Sequence, residues 1–356
     1  MCIRDRNKAD LVDPELLDLV KLELAEFFTG TFLAAAPIVA VSAKTGVGLA
    51  ELRDALVECA RIAPARHSDG PFRLAIDRSF TLRGFGTIVT GTLAAGRLRV
   101  EDEVEVLPTR RRLRARNLQV HGRSVSEATA GQRTAVNLAA VEASELSRGM
   151  MLVPPGLFRA STAVECRFEL LASAMKLKHG APIHFHSGTA ETEAEVRLLE
   201  SLVPVVPGTT VLLRLLLKSP LALLPGDHFI ARMFSPVVTI GGGVVVENTP
   251  PLRLRRTAAA QRLRALDGAG LCRRLELYAA ETGDGITLSE AVARTGVLPA
   301  ALMAAAQNAA VIVLRGTEPV SYTHLHRRGS GAARGLDGNQ RQPGAARSAC
   351  HVAAAR

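Results

Sequence analysis

The period of apolar and polar positions changes twice along the chain. Over 7–63 it is helical. Leu16, Leu17, Val20, Leu24 and Phe27 recur every three or four residues behind Asp13-Pro14, a pair suited to an N-cap and a first helical position. Pro37 to Val41 reads as a short apolar strand, and after Gly46-Val47-Gly48 the residues Leu49, Leu52, Leu56 and Cys59 line one face of a second helix. The segment therefore alternates α and β. Pro64 to Gly70 is a polar linker rich in turn formers.

From Phe72 to about Pro250 short β-type runs replace the helical period: Phe72–Ile76, Thr87–Leu93, Val104–Leu107, Thr134–Leu138, Val164–Leu170, Thr210–Leu217 and Val237–Val246. Gly, Pro and Asp turns separate them, the pattern of small β-barrels. Pro154-Pro155-Gly156 divides the stretch into two units. Helices return from Thr257, where Leu271, Leu275 and Tyr278 share a face. Leu288–Arg294, a turn at Gly296 and Pro299–Asn308 then predict a helix-turn-helix, followed by the β run Ala310–Leu314. That order fits a winged helix. Its second helix carries no Lys or Arg, unlike a groove-reading helix, and reads as a spacer.

The ends depart from these patterns. Met1–Arg6 is polar where an α/β fold places a buried strand, and beyond Leu314 apolar periodicity is lost. Both 1–6 and 320–356 read as non-native or disordered sequence. The tail from His326 holds six Arg against one Asp, half of the formal charge of +10. The remaining excess favours an anionic partner without identifying it. No apolar run is long enough to span a membrane. The five cysteines are scattered with no C-x-x-C pair, which points to a reducing compartment and away from a zinc site.

Asn7-Lys8-Ala9-Asp10 matches the N-K-x-D guanine motif, and Ser42-Ala43-Lys44, at the end of the predicted strand, matches its S-A-K companion. A carboxylate can accept from both the ring N–H and the exocyclic amine of guanine, an edge adenine lacks. Asn7 would hold the loop, and the stems of Lys8 and Lys44 would cover the two faces of the base. No G-x-x-x-x-G-K-[ST] loop occurs anywhere in the chain. Arg112, Arg114 and Arg116 would share one face of a strand, with Leu113 and Ala115 on the other. They read either as a track for tRNA phosphates or as a solvated face. His184 and His186, two apart on one strand face, read as structural rather than metal-ligating.

The run Asp77 to Thr92 is similar to the second domain of elongation-factor GTPases. Lys178-His-Gly180 to Gly188-Thr189, Pro225-Gly-Asp227 to Arg232, and Thr239-Ile-Gly-Gly-Gly243 resemble the third domain of the selenocysteine-specific elongation factors. The resemblance covers about 7–315. It implies a multi-domain fold: the C-terminal piece of a P-loop GTPase α/β domain (7–63), two β-barrels (70–156 and 159–250), a partial winged-helix domain (255–316), and the tail 320–356. It implies a parent that binds GTP with Mg2+, carries selenocysteyl-tRNA to the ribosome in the cytoplasm for insertion at UGA, and grips a messenger RNA hairpin through distal domains not found here. The chain reads as an internal fragment that should neither bind nucleotide well nor hydrolyse GTP. It also implies that Asp77, Arg78 and Arg133 line the pocket for the selenocysteyl group. By themselves these residues also read as a surface ion pair with a strand-edge charge. Two rival readings are another translational GTPase, such as a general aminoacyl-tRNA carrier or an initiation factor subunit, and a winged-helix transcription regulator. The winged helix disfavours the first; the guanine motifs and the uncharged second helix disfavour the second.

Overall fold

The computed structural model describes residues 4–63, 68–281, 285–308, 312–315, 323–327 and 350–354. The chain divides into two compact units at Ala65/Arg66.

In the first unit β1 (Arg4–Arg6) pairs in parallel with β2 (Ile38–Ala40), and α1 (Pro14–Phe27) and α2 (Leu49–Ile62) accompany them. The polar residues Arg4–Arg6 therefore form a strand where the sequence predicts none: backbone pairing to Ile38–Ala40 does not depend on side-chain hydrophobicity. Asp13 occupies the N-cap of α1, but its side chain makes no capping hydrogen bond. Val39 and Val41 are buried, while Leu16, Phe27 and Leu56, expected on inward faces, are exposed.

The second unit begins with a six-stranded barrel. Its strands are β3 (Arg73–Leu82), β4 (Gly86–Ala95), β6 (Glu103–Leu107), β7 (Arg111–Val120), β10 (Arg133–Leu138) and β11 (Met151–Val153). They run in the order β10-β4-β3-β11-β6-β7, and β7 pairs back onto β10. Short strands β5 (Arg97–Arg99) and β9 (Glu127–Thr129) pair with each other, and β8 (Arg123–Val125) extends β7. Alternate residues fill the interior, among them Leu74, Ile76, Val89, Leu93, Leu118 and Val136.

A second closed barrel follows: β12 (Ser161–Leu170), β13 (Pro182–Ser187), β14 (Ala190–Leu198), β15 (Thr210–Leu221), β16 (His228–Arg232) and β17 (Thr239–Glu247), in the order β12-β15-β14-β13-β16-β17. Phe185 and Phe229 stack at 4.9 Å in its core. The barrels meet through Leu107, Val153, Phe158 and Leu224, and through Arg73, which pairs with Asp227 at 2.6 Å.

Helices α3 (Arg256–Leu266), α4 (Leu271–Glu281), α5 (Leu288–Thr295) and α6 (Pro299–Asn308) follow, with β18 (Ile286–Thr287) between α4 and α5. Thr287 caps α5, its hydroxyl accepting from Glu290 N, and Gly296 ends that helix at φ 73°. A Cβ on Gly296 would lie 2.4 Å from Leu224 Cδ1, so the turn needs glycine both for its backbone and for packing on the barrel. Leu199 and Val246 of the second barrel join Leu263, Leu275, Tyr278, Val292 and Leu302 in one apolar cluster. Three further strands, β19 (Ile312–Arg315), β20 (Thr323–Arg327) and β21 (Cys350–Ala354), complete a sheet with β18. The last two fall inside the stretch for which the sequence predicts no order. Backbone pairing with β18 and β19 accounts for them; the rest of the tail lies outside the described residues.

The seam between second barrel and helices holds buried charge. Glu165 and Glu247 are fully buried; Glu165 takes Arg214 Nη2 at 2.6 Å and Arg262 Nη1 at 2.9 Å, and Glu247 takes Arg262 Nη2 at 2.7 Å. Glu281 accepts from Arg262 Nε at 2.6 Å and from Arg294 Nη1 at 2.9 Å. Asn248 Nδ2 donates to Leu223 O on the barrel side and to Ala293 O in α5.

Candidate functional site

Within the first unit the two guanine motifs, 32 residues apart, meet. Ser42 Oγ donates to Asp10 Oδ1 at 2.6 Å, and Ala43 N donates to Asn7 Oδ1 at 3.2 Å. Asn7 Oδ1 also accepts from Lys8 N at 2.7 Å, and Lys8 stands in the left-handed region at φ 65°. Ala9 N to Val41 O at 3.0 Å ties the first loop to the end of β2. Ser42 is buried; Asn7, Lys8, Asp10, Ala43 and Lys44 are exposed. A carboxylate braced by a buried hydroxyl, beside two exposed lysine stems, fits the base end of a guanine nucleotide. The given sequence holds no G-x-x-x-x-G-K-[ST] phosphate loop.

On the first barrel a β-bulge sets the second site. Ile76 pairs with Gly91 and Arg78 with Thr90, so Asp77 is one extra residue on β3. The insertion turns Arg78 outward beside Thr90; strict alternation from buried Ile76 would have pointed it into the barrel. Gly91 permits the close approach here, since a Cβ would lie 2.2 Å from Ala75 O. Asp77 Oδ2 is 3.0 Å from Arg133 Nη1, and Asp77 Oδ1 accepts from Arg133 Nη2 at 3.2 Å and from Thr90 Oγ1 at 2.6 Å. The ion pair thus joins Asp77 to Arg133 of β10, not to its sequence neighbour. Arg78 is exposed and has no ion pair or side-chain hydrogen bond among the described residues. Sequence reading missed Thr90; its place in an alternating strand carries no sign of a polar role.

Arg112, Arg114 and Arg116 are exposed on β7, with Leu113 and Ala115 buried behind them. Arg114 pairs with Glu101 at 3.2 Å and Arg112 lies 4.0 Å from Glu103, while Arg116 has no acidic partner among the described residues. His184 packs on Phe234 at 3.9 Å between ring centroids, and His184 Nδ1 and His186 Nδ1 lie 3.6 and 3.8 Å from Glu191. Among the described residues no group of three or more His, Cys, Asp or Glu is placed to hold a metal, and no helix is long and apolar enough to cross a membrane.

Residues 165–252 match the family described as selenocysteine-specific elongation factor, beta-barrel domain, and residues 86–153 match elongation factor Tu domain 2. A selenocysteine-specific elongation factor of Desulfomicrobium baculatum is 41% identical over 242 residues, 67% of this chain and 38% of the relative. The chain is a partial homologue of the selenocysteine-specific elongation factors. The Escherichia coli member of that family is 33% identical over 255 residues, 70% of this chain and 39% of the relative. A crystal structure of a bacterial selenocysteine-specific elongation factor superposes with a TM-score of 0.72 at 25% identity, covering 83% of this chain and 48% of that one. A Methanococcus maripaludis factor of the same family, solved with the GTP analogue GPPNHP, shares the fold at a TM-score of 0.62 and 23% identity, over 70% of this chain and 59% of that one. The chain spans less than two fifths of the length of the curated family members it matches.

Proposed function

We propose that this chain is part of a cytoplasmic translation factor that, at full length, binds GTP with Mg2+ and selenocysteyl-tRNA and delivers the tRNA to the ribosome for selenocysteine insertion at UGA. A messenger RNA hairpin would be held by further domains. The observation that carries this reading is the family-specific barrel at 165–252 directly following an elongation-factor barrel at 86–153.

Guanine recognition falls to Asn7, Lys8, Asp10, Ser42, Ala43 and Lys44, whose two loops are already hydrogen-bonded together. Bound nucleotide supplies the switch that releases tRNA after decoding. The phosphate contacts that dominate nucleotide affinity have no counterpart in this sequence. The purified chain should therefore show no magnesium-dependent binding of a fluorescent GDP analogue at micromolar concentration.

The aminoacyl end falls to Asp77, Arg78 and Arg133. A selenol is anionic at neutral pH and a serine hydroxyl is not, so guanidinium groups favour the first and are left poorly paired by the second. The test is Arg133→Ala in the full-length protein, comparing selenocysteyl-tRNA with seryl-tRNA on one tRNA body. Loss of a charge-assisted contact should cost about 1.5–3 kcal/mol for the selenocysteyl form, about tenfold or more, with the seryl form little changed. Equal weakening of both forms would make Arg133 a structural or tRNA-backbone residue.

A further inference from the structure

Thr90 stands at the centre of the bulged region. It is the register partner of Arg78 on one side and of Ala135 on the other, and it directs its hydroxyl at Asp77. Asp77 is only 18% exposed and uses both carboxylate oxygens on neighbours, whereas Arg133, its main partner, is 56% exposed. The half-buried end of the constellation is therefore Thr90 and Asp77, and the end offered to solvent is guanidinium.

Charge decides the roles. A carboxylate facing an anionic selenolate would repel it, so Asp77 gains nothing as a direct contact. What it does is hold Arg133 through a hydrogen bond from Nη2 at 3.2 Å and an ion pair with Nη1 at 3.0 Å. Its own rotamer is fixed by the 2.6 Å hydrogen bond from Thr90, a β-branched residue with little χ1 freedom. Asp77 also cancels the formal charge of Arg133, so the uncompensated positive charge of the cluster belongs to Arg78.

We propose that Thr90 is a positioning residue of the aminoacyl site, acting through Asp77 to hold Arg133, and that Arg78 supplies the net charge that attracts the anion. This rests on the proposed function above. Thr90→Val removes the hydroxyl at nearly constant shape, and Thr90→Ser restores it.

Two readouts test the proposal. In the 356-residue chain, the NMR order parameter of Arg133 Nε–Hε should fall in Thr90→Val and recover in Thr90→Ser. In the full-length protein, Thr90→Val should lower affinity for selenocysteyl-tRNA about three- to tenfold, leave seryl-tRNA unchanged, and again be rescued by serine. A Thr90→Val protein with wild-type Arg133 order and wild-type discrimination overturns the proposal, as does failure of Thr90→Ser to rescue. If Arg133→Ala leaves discrimination intact, the aminoacyl assignment itself fails. The order-parameter measurement still tells whether Thr90 holds Arg133.

Discussion

Arg294 Nη2 donates to Glu247 Oε2 at 2.6 Å, and the same guanidinium lies 3.5 Å from the centroid of the Tyr278 ring. Glu247 ends the last strand of the second barrel and Arg294 lies in the last turn of α5, so the pair closes the seam between barrel and helices. Arg294 is 5% exposed and Glu247 fully buried. Neither charge has water to fall back on, and each depends on the rest of the network.

Removing one partner should therefore cost more than removing both. Glu247→Ala leaves Arg262 and Arg294 buried with too little negative charge, and is expected to destabilise by about 3–5 kcal/mol. Glu247→Met with Arg294→Met should cost less than Glu247→Ala alone. Urea unfolding of the three variants, followed by circular dichroism, checks the order; a double variant weaker than the single one contradicts it.

The two buried carboxylates should respond to pH with opposite sign. Burial pushes Glu247 up, but Arg294 and Arg262 outweigh it and hold the group below the usual carboxylate range. Its contribution to stability is present above the unfolded-state pKa and is lost as pH falls through the lowered folded value. Burial dominates at Glu165, and its pKa is raised despite Arg214 and Arg262. Ionising Glu165 therefore works against the fold at neutral pH, an effect relieved as pH falls through its folded pKa. Unfolding at pH 7 should show Glu247→Gln as costlier than Glu165→Gln, and the Glu247→Gln deficit should shrink below about pH 4. A deficit that grows on acidification would reverse the assigned sign.

On β7 the ion pairs rank three arginines that look equivalent in sequence. Arg112 and Arg114 face Glu103 and Glu101, while Arg116 has no acidic partner among the described residues. If this face tracks tRNA phosphates, Arg116→Ala should reduce the slope of log affinity against log salt by about 1, and Arg112→Ala and Arg114→Ala by less. Fluorescence anisotropy of a labelled tRNA transcript over a salt series measures this. Equal slopes for all three variants would mean that the glutamates do not compete with RNA.

Gly296→Ala combines a left-handed backbone with a contact of 2.4 Å to Leu224 Cδ1. An expected loss of about 1–3 kcal/mol follows from the backbone conformation alone. Thermal unfolding of the variant reads it, and an unchanged midpoint would show that Leu224 and the turn can both yield.

The sequence by itself determined most of the element types and the residue types of the linear motifs. Asn7-Lys8-Ala9-Asp10, Ser42-Ala43-Lys44 and the run through Thr239-Ile-Gly-Gly-Gly243 are contiguous, so their residue types were legible without a fold. The turn at Gly296 and the helices on either side were legible for the same reason: caps and helical periods are local. Tertiary structure alone decided who pairs with whom. Adjacency alone would pair Asp77 with Arg78, but one extra residue on β3 turns Arg78 outward, and pairing of β10 with β4 brings Arg133, 56 positions on, to the carboxylate. The seam network was invisible for the same cause. Glu165, Glu247 and Arg294 lie far apart in the sequence, and only packing of the helices on the second barrel removes them from water together. Periodicity reports which way a side chain faces along its own strand or helix; a bulge resets that direction, and long-range pairing is set by how the sheet closes.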